Sequence, residues 1–431
     1  MSGVFRVGVC VSASVLALAI GLGARAETTQ GSAAEALAAF DGESNGFAEE
    51  FCADQGALAE ITTDSPAIDA DECGFEESAE EFLGPEHVSD GLGPVFNAAG
   101  CGECHATPVL GGTTQVAERR AGFFNGFQFL EHPGGSLLHD RATDASLQES
   151  VIPSRTNVFT FRASQSILGD GFVEAIANST LSAIAAAQPF SMRGQMIQVP
   201  VFEKPGMTRT GRFGWKDQQA SLLSFSADAY VNEMGITSPL QPTEPTSNGK
   251  SVSDFDNVPL GHPNDPDDDG VDVALFAVFM RSTKAPPRDE ARAATPEAVA
   301  GSAIFNQIGC GVCHTRNIVT AEPGTPLNGG ALKVAAALGN KRIHPFGDYL
   351  LHDVGTGDGI VQNGGPSTRN KVRTAALWGL RARGRFMHDF LSQSVEDAIH
   401  RHDNQAQSAR RGFNALPRSD QRRLLAFLNS L

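Results

Sequence analysis

Two stretches of this sequence carry the same chemically reactive pattern, F-N-x-x-G-C-G-x-C-H. The first begins at Phe96 and the second at Phe305. In C-x-x-C-H, two thiols on one side of a helical turn can bond to the vinyl groups of one porphyrin, and the next imidazole can ligate its iron. A zinc site would need further ligands nearby, and a thioredoxin-like dithiol needs no trailing histidine. The pattern predicts two covalently bound haem c groups, held by Cys101, Cys104 and His105 and by Cys310, Cys313 and His314.

The first residues predict an exported protein. A basic start, MSGVFRVG, precedes the short apolar run VCVSASVLALAIGL and the sequence Ala24-Arg25-Ala26, which fits an A-x-A cleavage site. Residues 1–26 are therefore interpreted as a signal peptide for export to the periplasm. The alternative is a membrane anchor, for which the apolar run is short. No later segment is apolar enough to cross a bilayer, so the mature chain is expected to have no transmembrane segment.

Charge is unevenly distributed along the chain of 431 residues, whose formal net charge is −17. No lysine or arginine occurs between Arg25 and Arg119, so residues 27–90 form an acidic N-terminal segment. This balance argues against nucleic acid and anionic membranes as partners. The segment is interpreted as a solvated surface, with a docking face for a basic redox partner as the alternative. Cys52 and Cys73 are an even pair in an oxidising compartment and are predicted to form a disulfide.

The segments that flank the haem motifs predict the fold. Thr295 and Pro296 form a helix start, and the apolar stripe of residues 419–431 predicts a closing helix with a Ser419 cap. The apolar residues 271–282 predict a closing helix for the first half. Because cytochrome c domains pack their first helix on their last, we expect a mainly α-helical protein with two cytochrome c-like domains. The predicted parts are a first haem domain with a large insertion (91–283), a linker (284–294) and a second haem domain (295–431).

The sixth ligand of each iron decides whether that iron is open to substrate or only transfers electrons. In SVEDAIHRH, which begins at Ser394, His402 shares a predicted helical face with three apolar residues. It is therefore the predicted distal ligand of the second iron. The other candidates are His388, Met387 and His352 for the second iron and His132 and His139 for the first. An open position is the alternative at the first iron.

The chain resembles the bacterial di-haem peroxidase superfamily, in particular the di-haem oxidoreductase branch often called putative peroxidase or thiol oxidoreductase. The resemblance covers about Gly91 to Leu431. Beyond the haem motifs it rests on GRFGWKDQQASLLSFSADAYVNEMGITS from Gly211, DYLLHDVG from Asp348 and RTAALWGLRARGRFMHDF from Arg373. It implies a first haem that faces substrate and a six-coordinate second haem that stores or relays an electron. The peroxidases carry the distal ligand fourteen residues beyond the histidine matched by His388, which again gives His402.

The resemblance also implies residues for the reaction. The peroxidases place a glutamate and a glutamine over the first haem, and the best local matches are Glu174 and Gln165. A carboxylate there can move a proton between the two oxygens of peroxide, whereas the alternative for Glu174 is a surface helix position. Trp378 is the predicted electron relay between the haems and Trp215 the second candidate, with core packing as the alternative for both. The expected partners are a small electron donor, such as a cytochrome c or cupredoxin, and peroxide or dioxygen.

A further site is suggested by DPDDDG. Asp265, Asp267 and Asp269 stand at positions 1, 3 and 5 of an EF-hand-like start with Gly270 at position 6, but position 12 is Phe276 instead of glutamate. The two interpretations are a calcium site and a solvated acidic turn that caps the next helix.

The sequence therefore predicts a periplasmic di-haem oxidoreductase of peroxidase type. Peroxide would be reduced at the first haem with electrons relayed by the second. One alternative is an electron-transfer cytochrome without substrate. The other is an oxygenase that acts on an apolar substrate, which would use a lining made of Phe123, Phe124, Phe127 and Phe129.

Overall fold

The computed structural model of the protein describes residues 33–53, 73–256 and 266–431. The predicted signal peptide and Asp265 lie outside these ranges. The α-helices of the described part, numbered in chain order, are α1 Phe47–Ala53, α2 Phe75–Leu83, α3 Asp170–Glu174, α4 Asn178–Ala187, α5 Leu222–Ala229, α6 Val271–Ser282, α7 Glu290–Ala293, α8 Pro296–Gln307, α9 Val395–Arg401, α10 Gln407–Ala415 and α11 Arg418–Leu428. The strands are β1 Ala34–Glu35, β2 Val95–Phe96, β3 Ala117–Phe124, β4 Phe129–Glu131, β5 Leu137–Leu138, β6 Arg141–Ala142, β7 Val158–Ala163, β8 Gln198–Pro200, β9 Thr208–Thr210, β10 Ile318–Val319, β11 Pro326–Leu327, β12 Leu332–Lys333, β13 Lys341–Ile343, β14 Leu351–His352 and β15 Val372–Arg373.

Each half packs an early helix against its closing helix. In the second half, α8 lies on α11, with the rings of Phe305 and Phe427 5.4 Å apart. The two backbones approach closely at Gly301, where a Cβ would come within 1.9 Å of a carbonyl oxygen of α11. In the first half, α2 lies on α6, and the rings of Phe82 and Phe279 are 4.7 Å apart. Both closing helices therefore form where the apolar stripes predicted them.

Two of the three predicted helix caps form in the structure. The Thr295 hydroxyl accepts a hydrogen bond from the Ala298 amide (3.3 Å), and the Ser394 hydroxyl accepts one from the Asp397 amide (3.0 Å). The predicted Ser419 cap is wrong, because α11 begins at Arg418 directly after Pro417 and Ser419 lies inside the first turn. Proline has a fixed φ and no amide hydrogen, so it fits the start of a helix without a side-chain cap.

The predicted fold class is wrong. Helices make up 35% and strands 16% of the described residues, so the protein is mixed α/β instead of mainly α. The largest sheet lies in the insertion of the first half, in the order β4-β3-β5, with β7 also paired to β3. β7 has the sequence VFTFRA, whose first four residues are all β-branched or aromatic, and such residues favour a strand. The predicted class was based on the helices next to the haem motifs. It did not take into account the insertion, where half-buried and exposed residues alternate along the start of β7 as in a strand.

The acidic N-terminal segment is partly built into the core. Phe47, Phe51 and Phe82 are buried, and the structure joins Cys52 and Cys73 in a disulfide. β1 also pairs in parallel with β13 of the second half. The interpretation as a solvated surface therefore fails for α1 and α2, whose acidic side chains mostly face outward while their aromatic rings face α6.

A core of buried apolar side chains extends across both halves. It contains Phe47 and Phe276 from the first half together with Ile343 and Trp378 from the second. A smaller cluster lies between α8 and α11. Among the described residues, no helix is long and apolar enough to cross a membrane.

Candidate haem sites and the cavity between them

Both histidines that end the haem motifs are held in the same way. The motif cysteines lie on short 3-10 turns, Cys101–Glu103 and Cys310–Val312. Nδ1 of His105 lies 3.3 Å from the Gly112 carbonyl oxygen, and Nδ1 of His314 lies 2.9 Å from the Phe346 carbonyl oxygen. Because a carbonyl can only accept, Nδ1 carries the hydrogen in each ring and Nε2 keeps its lone pair for a metal.

His402 faces His314 at the separation that a shared iron requires. The two ring centroids are 6.5 Å apart. A metal–imidazole bond of about 2.0–2.1 Å on each side, plus two ring radii of about 1.1 Å, gives a separation of about 6.3 Å. Nδ1 of His402 lies 2.7 Å from the Ala398 carbonyl oxygen, so its Nε2 is also free to bind a metal. Burial lowers the pKa of both rings, that of His314 to about 4, which keeps them neutral as ligands.

The other histidine candidates of the second site are engaged elsewhere. Nε2 of His352 lies 2.9 Å from Asp348 Oδ2, and its Nδ1 lies 3.6 Å from Cys313 Sγ. Nε2 of His388 contacts the Thr356 carbonyl oxygen, while its Nδ1 is buried without a hydrogen-bond partner. Met387 and His388 line the cavity described below.

Neither histidine that was considered for the first iron has a free ring nitrogen. Nδ1 of His139 lies 3.1 Å from Glu149, and its Nε2 lies 3.0 Å from the Asn232 carbonyl oxygen. The ring of His132 accepts a hydrogen bond from the Ile152 amide at Nε2 and approaches the Pro133 carbonyl oxygen with Nδ1. Both rings therefore have structural hydrogen bonds that ligation would break, which favours an open position opposite His105.

The four motif thiols are in environments that suppress the thiolate. Burial raises the pKa of Cys101, Cys104 and Cys310 to about 12 and raises that of Cys313 as well. Activated redox thiols and zinc ligands need a lowered pKa. The environments therefore fit thioether bonds to a porphyrin better than a dithiol or a zinc site.

Glu174 is not at the cavity. Its side chain is 1% exposed, and it accepts hydrogen bonds from Arg281 Nε (2.7 Å) and Nη2 (3.1 Å). Asn328 Nδ2 and the Leu222 amide complete its hydrogen bonds. Burial would raise the pKa of Glu174, but Arg281 brings it to about 2. The structure therefore contradicts the prediction of a proton-transferring acid here, because this carboxylate lies away from the cavity and is held in a buried ion pair with Arg281. The surface-helix alternative is wrong too.

Gln165, in contrast, lies beside the first site. Its backbone is within hydrogen-bonding range of the His105 ring, and it lines a cavity that is shared by both halves. Thr113 and Gln165 line this cavity from the first half, and Cys310, His314 and His402 line it from the second. The cavity thus connects the surroundings of the two haem motifs.

Glu233 is a second acid with a shifted pKa, which the sequence did not single out. Asn97, the asparagine of the first F-N-x-x-G motif, donates a hydrogen bond from Nδ2 to Glu233 Oε2 (2.7 Å). Glu233 also shares a hydrogen bond with Glu118, which forms a two-pronged pair with Arg120. Burial raises the pKa of Glu233 well above its usual range, and Glu118 adds to this rise. Two adjacent carboxyl groups cannot both ionise easily, so Glu233 holds a proton.

Glu233 also lies near the first haem motif. It raises the pKa of the Cys104 thiol in addition to the larger effect of burial. A π-helical turn, Tyr230–Met234, carries it directly after α5, and such turns are frequent at functional sites. The sequence signal for Glu233 is its place in the block VNEMGITS, which is part of the resemblance to the family. Glu118 and Asn97 approach it only through the fold.

Trp378 contacts residues that lead to both motif histidines, His314 and His105. Its amide donates to the Pro345 carbonyl oxygen, next to the residue that holds His314. Its ring lies against Gly169, where a Cβ would be 3.0 Å away. From there, the amide of Ile167 donates to the Gly111 carbonyl oxygen and the amide of Gly111 to that of His105, each at 2.9 Å. Trp215 lines the same cavity and donates to the Ala163 carbonyl oxygen (2.8 Å).

The acidic turn before α6 does not form an EF-hand start. Asp269 accepts a hydrogen bond from the Val271 amide at the start of α6, as the capping interpretation predicted. Asp267 accepts hydrogen bonds from Thr237 and faces Glu244 and Asp256 instead of Asp269. Asp265 lies outside the described residues, so the predicted calcium site stays a prediction.

The second haem motif therefore lines a cavity that extends to Gln165 beside His105 of the first motif. The chain belongs to the family described as Di-haem oxidoreductase, putative peroxidase, which matches residues 140–431. It is therefore an enzyme of the di-haem peroxidase type. No curated protein sequence matches it significantly.

Three solved structures are similar over most of their length. The hydrazine synthase of Kuenenia stuttgartiensis shares 14% identity over 100% of both chains, with a TM-score of 0.38. A MauG-like protein associated with microbial copper homeostasis shares 14% identity over 85% of this chain and 90% of its own, with a TM-score of 0.38. The diheme peroxidase BthA from Burkholderia thailandensis shares 14% identity over 83% and 85%, with a TM-score of 0.39.

Proposed function

We propose that the protein is a periplasmic peroxidase that binds two covalent haem c groups and reduces peroxide at the first. The observation that carries this proposal is the asymmetry of the two sites. His314 faces His402 across the space for one iron, whereas His132 and His139 are both committed to other hydrogen bonds. An iron without a sixth protein ligand can bind a small oxidant.

The haem groups supply the chemistry of O–O cleavage and electron storage when bound. Reduction of one hydrogen peroxide to two water molecules consumes two electrons and two protons. We assign Glu233 as the proton donor of the first site, because burial and the adjacent Glu118 raise the pKa of this carboxyl group well above its usual range. Asn97 orients its carboxyl group through the 2.7 Å hydrogen bond. Gln165 borders the same site and can hold a water or peroxide oxygen through its amide.

The second site is suited to electron relay. His314 and His402 would both ligate its iron, which leaves no position for substrate. Trp378 lies between the two histidine loops and is the proposed path between the haems. The electrons would come from a small cytochrome c or cupredoxin, and nucleic acid has no part in this scheme.

The oxygenase alternative loses its structural basis. The four phenylalanines proposed to line an apolar pocket lie on the hairpin of β3 and β4, away from the cavity lining. Phe127 at its tip is 91% exposed, and the guanidinium of Arg369 covers the ring of Phe124 at 3.8 Å.

Electron paramagnetic resonance of the ferric protein, before and after adding cyanide, tests the proposal. We expect one high-spin and one low-spin signal, with the high-spin signal lost on cyanide binding. In His402→Ala, a second high-spin signal should appear. If the wild type shows two low-spin signals that do not respond to cyanide, in both the oxidised and the half-reduced protein, the protein is an electron carrier and the peroxidase proposal fails.

A further inference from the structure

The cavity that holds the second haem motif opens between three surface segments, residues 190–193, 385–391 and 406–411. Met192, Arg385 and Ala406 line the cavity from these segments. Two of the segments touch, since Ser408 approaches the Met192 sulfur, and Gln405, next to the third segment, donates from Nε2 to the Arg193 carbonyl oxygen. Residues 385–391 line the same cavity as His402, so all three segments border one cavity and form its edge.

Two large apolar side chains stand out from this edge. Phe190 is 89% exposed and Leu391 is 65% exposed, on two different segments of it. Exposed side chains of this size next to a redox site are suited to anchor a partner, because their burial supplies free energy that is independent of charge.

The same edge carries three exposed arginines, Arg193, Arg385 and Arg411. Arg193 and Arg385 donate hydrogen bonds to backbone carbonyl groups. Arg411 contributes to the lowered pKa of Asp403, whose ion pair is formed with Arg410. Because carbonyl groups carry no net charge, Arg193 and Arg385 leave this edge with a positive potential.

The charge of the rest of the chain makes this edge distinctive. Residues 366–431 contain 12 lysines and arginines against 5 aspartates and glutamates, a formal charge of +7. The whole chain has −17, so the other residues together carry −24. Such a separation orients an approaching charged protein before contact.

We propose that Phe190, Arg193, Arg385, Leu391 and Arg411 form a docking rim for an electron-donor protein whose surface is acidic around its own redox centre. This inference rests on the proposed function, in which the second haem receives electrons. An acidic donor is repelled by the acidic first half and attracted to the rim, so it reaches the second haem and not the first. A basic donor would be drawn to the wrong half.

Stopped-flow reduction of the ferric di-haem protein tests the rim. The probes are a reduced acidic cupredoxin of the plastocyanin type and a reduced basic cytochrome c. At about 20 mM salt the acidic probe should react faster than the basic one, and its rate constant should fall about tenfold on going to about 200 mM salt. The double variant Arg193→Glu with Arg411→Glu, at two exposed rim positions outside the cavity lining, should lower the low-salt rate with the acidic probe about tenfold.

A matched control is Arg155→Glu with Arg422→Glu, which makes the same change in net charge at two exposed arginines outside the rim. It should change the rate less than twofold. If the basic probe is the faster one in the wild type, or if both double variants slow the acidic probe equally, the rim is not the docking site. The salt dependence of the wild type decides the question even if a variant folds poorly.

Turnover with peroxide and hydroquinone separates this inference from the proposed function. Hydroquinone is small and uncharged, so its turnover should be the same in the wild type and in both double variants. Absence of turnover in the wild type would refute the peroxidase proposal, while the stopped-flow rates would still report on the rim.

Discussion

The two haem motifs repeat the same residues, but these residues have different tasks. In the first motif, Asn97 binds the protonated acid Glu233. In the second, the equivalent Asn306 accepts a hydrogen bond from Arg316 (3.0 Å), whose guanidinium lies 5.1 Å from the centre of the Phe305 ring. The asparagine of the first motif thus binds an acid with a raised pKa, whereas that of the second binds a cation that lies against the core. The repeated pattern determines where a haem can be attached, and the residues outside it determine the function.

The distal sides of the two sites differ for a related reason. In the second half, α9 ends beside His314 and presents His402 directly to it. In the first half, the inserted residues supply His132 and His139, but the same insertion supplies Glu149 and backbone carbonyl groups that occupy their rings. In the proposed function, the insertion therefore leaves the first iron open, and it also supplies Glu118 next to Glu233.

Removing the attachment cysteines of one motif at a time should have the largest effects. Cys101→Ala with Cys104→Ala should leave one covalent haem per chain and abolish peroxide turnover. Cys310→Ala with Cys313→Ala should also leave one haem, but the remaining iron should still bind cyanide. The pyridine haemochrome assay measures the haem content. Two covalent haems in either double variant would contradict the attachment sites.

Two glutamates offer the next comparison, the acid at the first site and the one in the buried ion pair. Glu233→Gln should lower kcat for peroxide by roughly 10²–10⁴-fold, because an amide cannot deliver a proton. Glu174→Gln makes the same chemical change away from the cavity, and it should leave kcat within about threefold of the wild type among folded molecules. Steady-state kinetics at saturating reductant measure both, and equal losses would refute the assignment to Glu233.

For stability, the substitution of Glu174 should have the larger effect of the two glutamates. Glu174→Ala leaves the buried Arg281 without its carboxylate and should lower the free energy of unfolding by about 3–5 kcal/mol. Glu174→Leu combined with Arg281→Met should recover part of this loss, because neither charge is then left unpaired. Denaturant midpoints of the haem-loaded protein provide the measurement. A loss below about 1 kcal/mol in the single variant would show that the ion pair is unimportant.

The smallest expected effect is on the pH dependence of stability, to which Glu174 and Glu233 should contribute with opposite signs. The pKa of Glu174 is lowered to about 2 from 4.5, so its contribution is present above pH 4.5 and is lost as the pH falls toward 2. Burial and Glu118 raise the pKa of Glu233 above 4.5, so the folded chain retains a proton that the unfolded chain loses. Stability should therefore fall as the pH rises from 4.5 through the raised pKa, and Glu233→Gln should flatten this part of the profile. An unchanged profile in that variant would contradict the shared proton.

Much of the fold around the haem motifs could be predicted because its signals are local. C-x-x-C-H, the Thr295 and Ser394 caps and the apolar stripes of α6 and α11 are patterns within a dozen residues. The Cys52–Cys73 disulfide followed from cysteine counting and compartment. The sheets of the insertion were missed because their strands are short and pair with distant partners, as β3 does with β7.

The sequence could not distinguish the environments of Glu174 and Glu233. Glu174 and Glu233 are each followed by an apolar residue in the sequence. Their pKa values move in opposite directions because Glu174 meets Arg281, 107 residues away, while Glu233 meets Glu118, a second carboxyl group. The sequence by itself predicted two haem sites and the residues that would attach them, since spacing along one turn is enough. Only the tertiary structure decided which carboxyl group holds a proton, because that depends on the charge brought next to it.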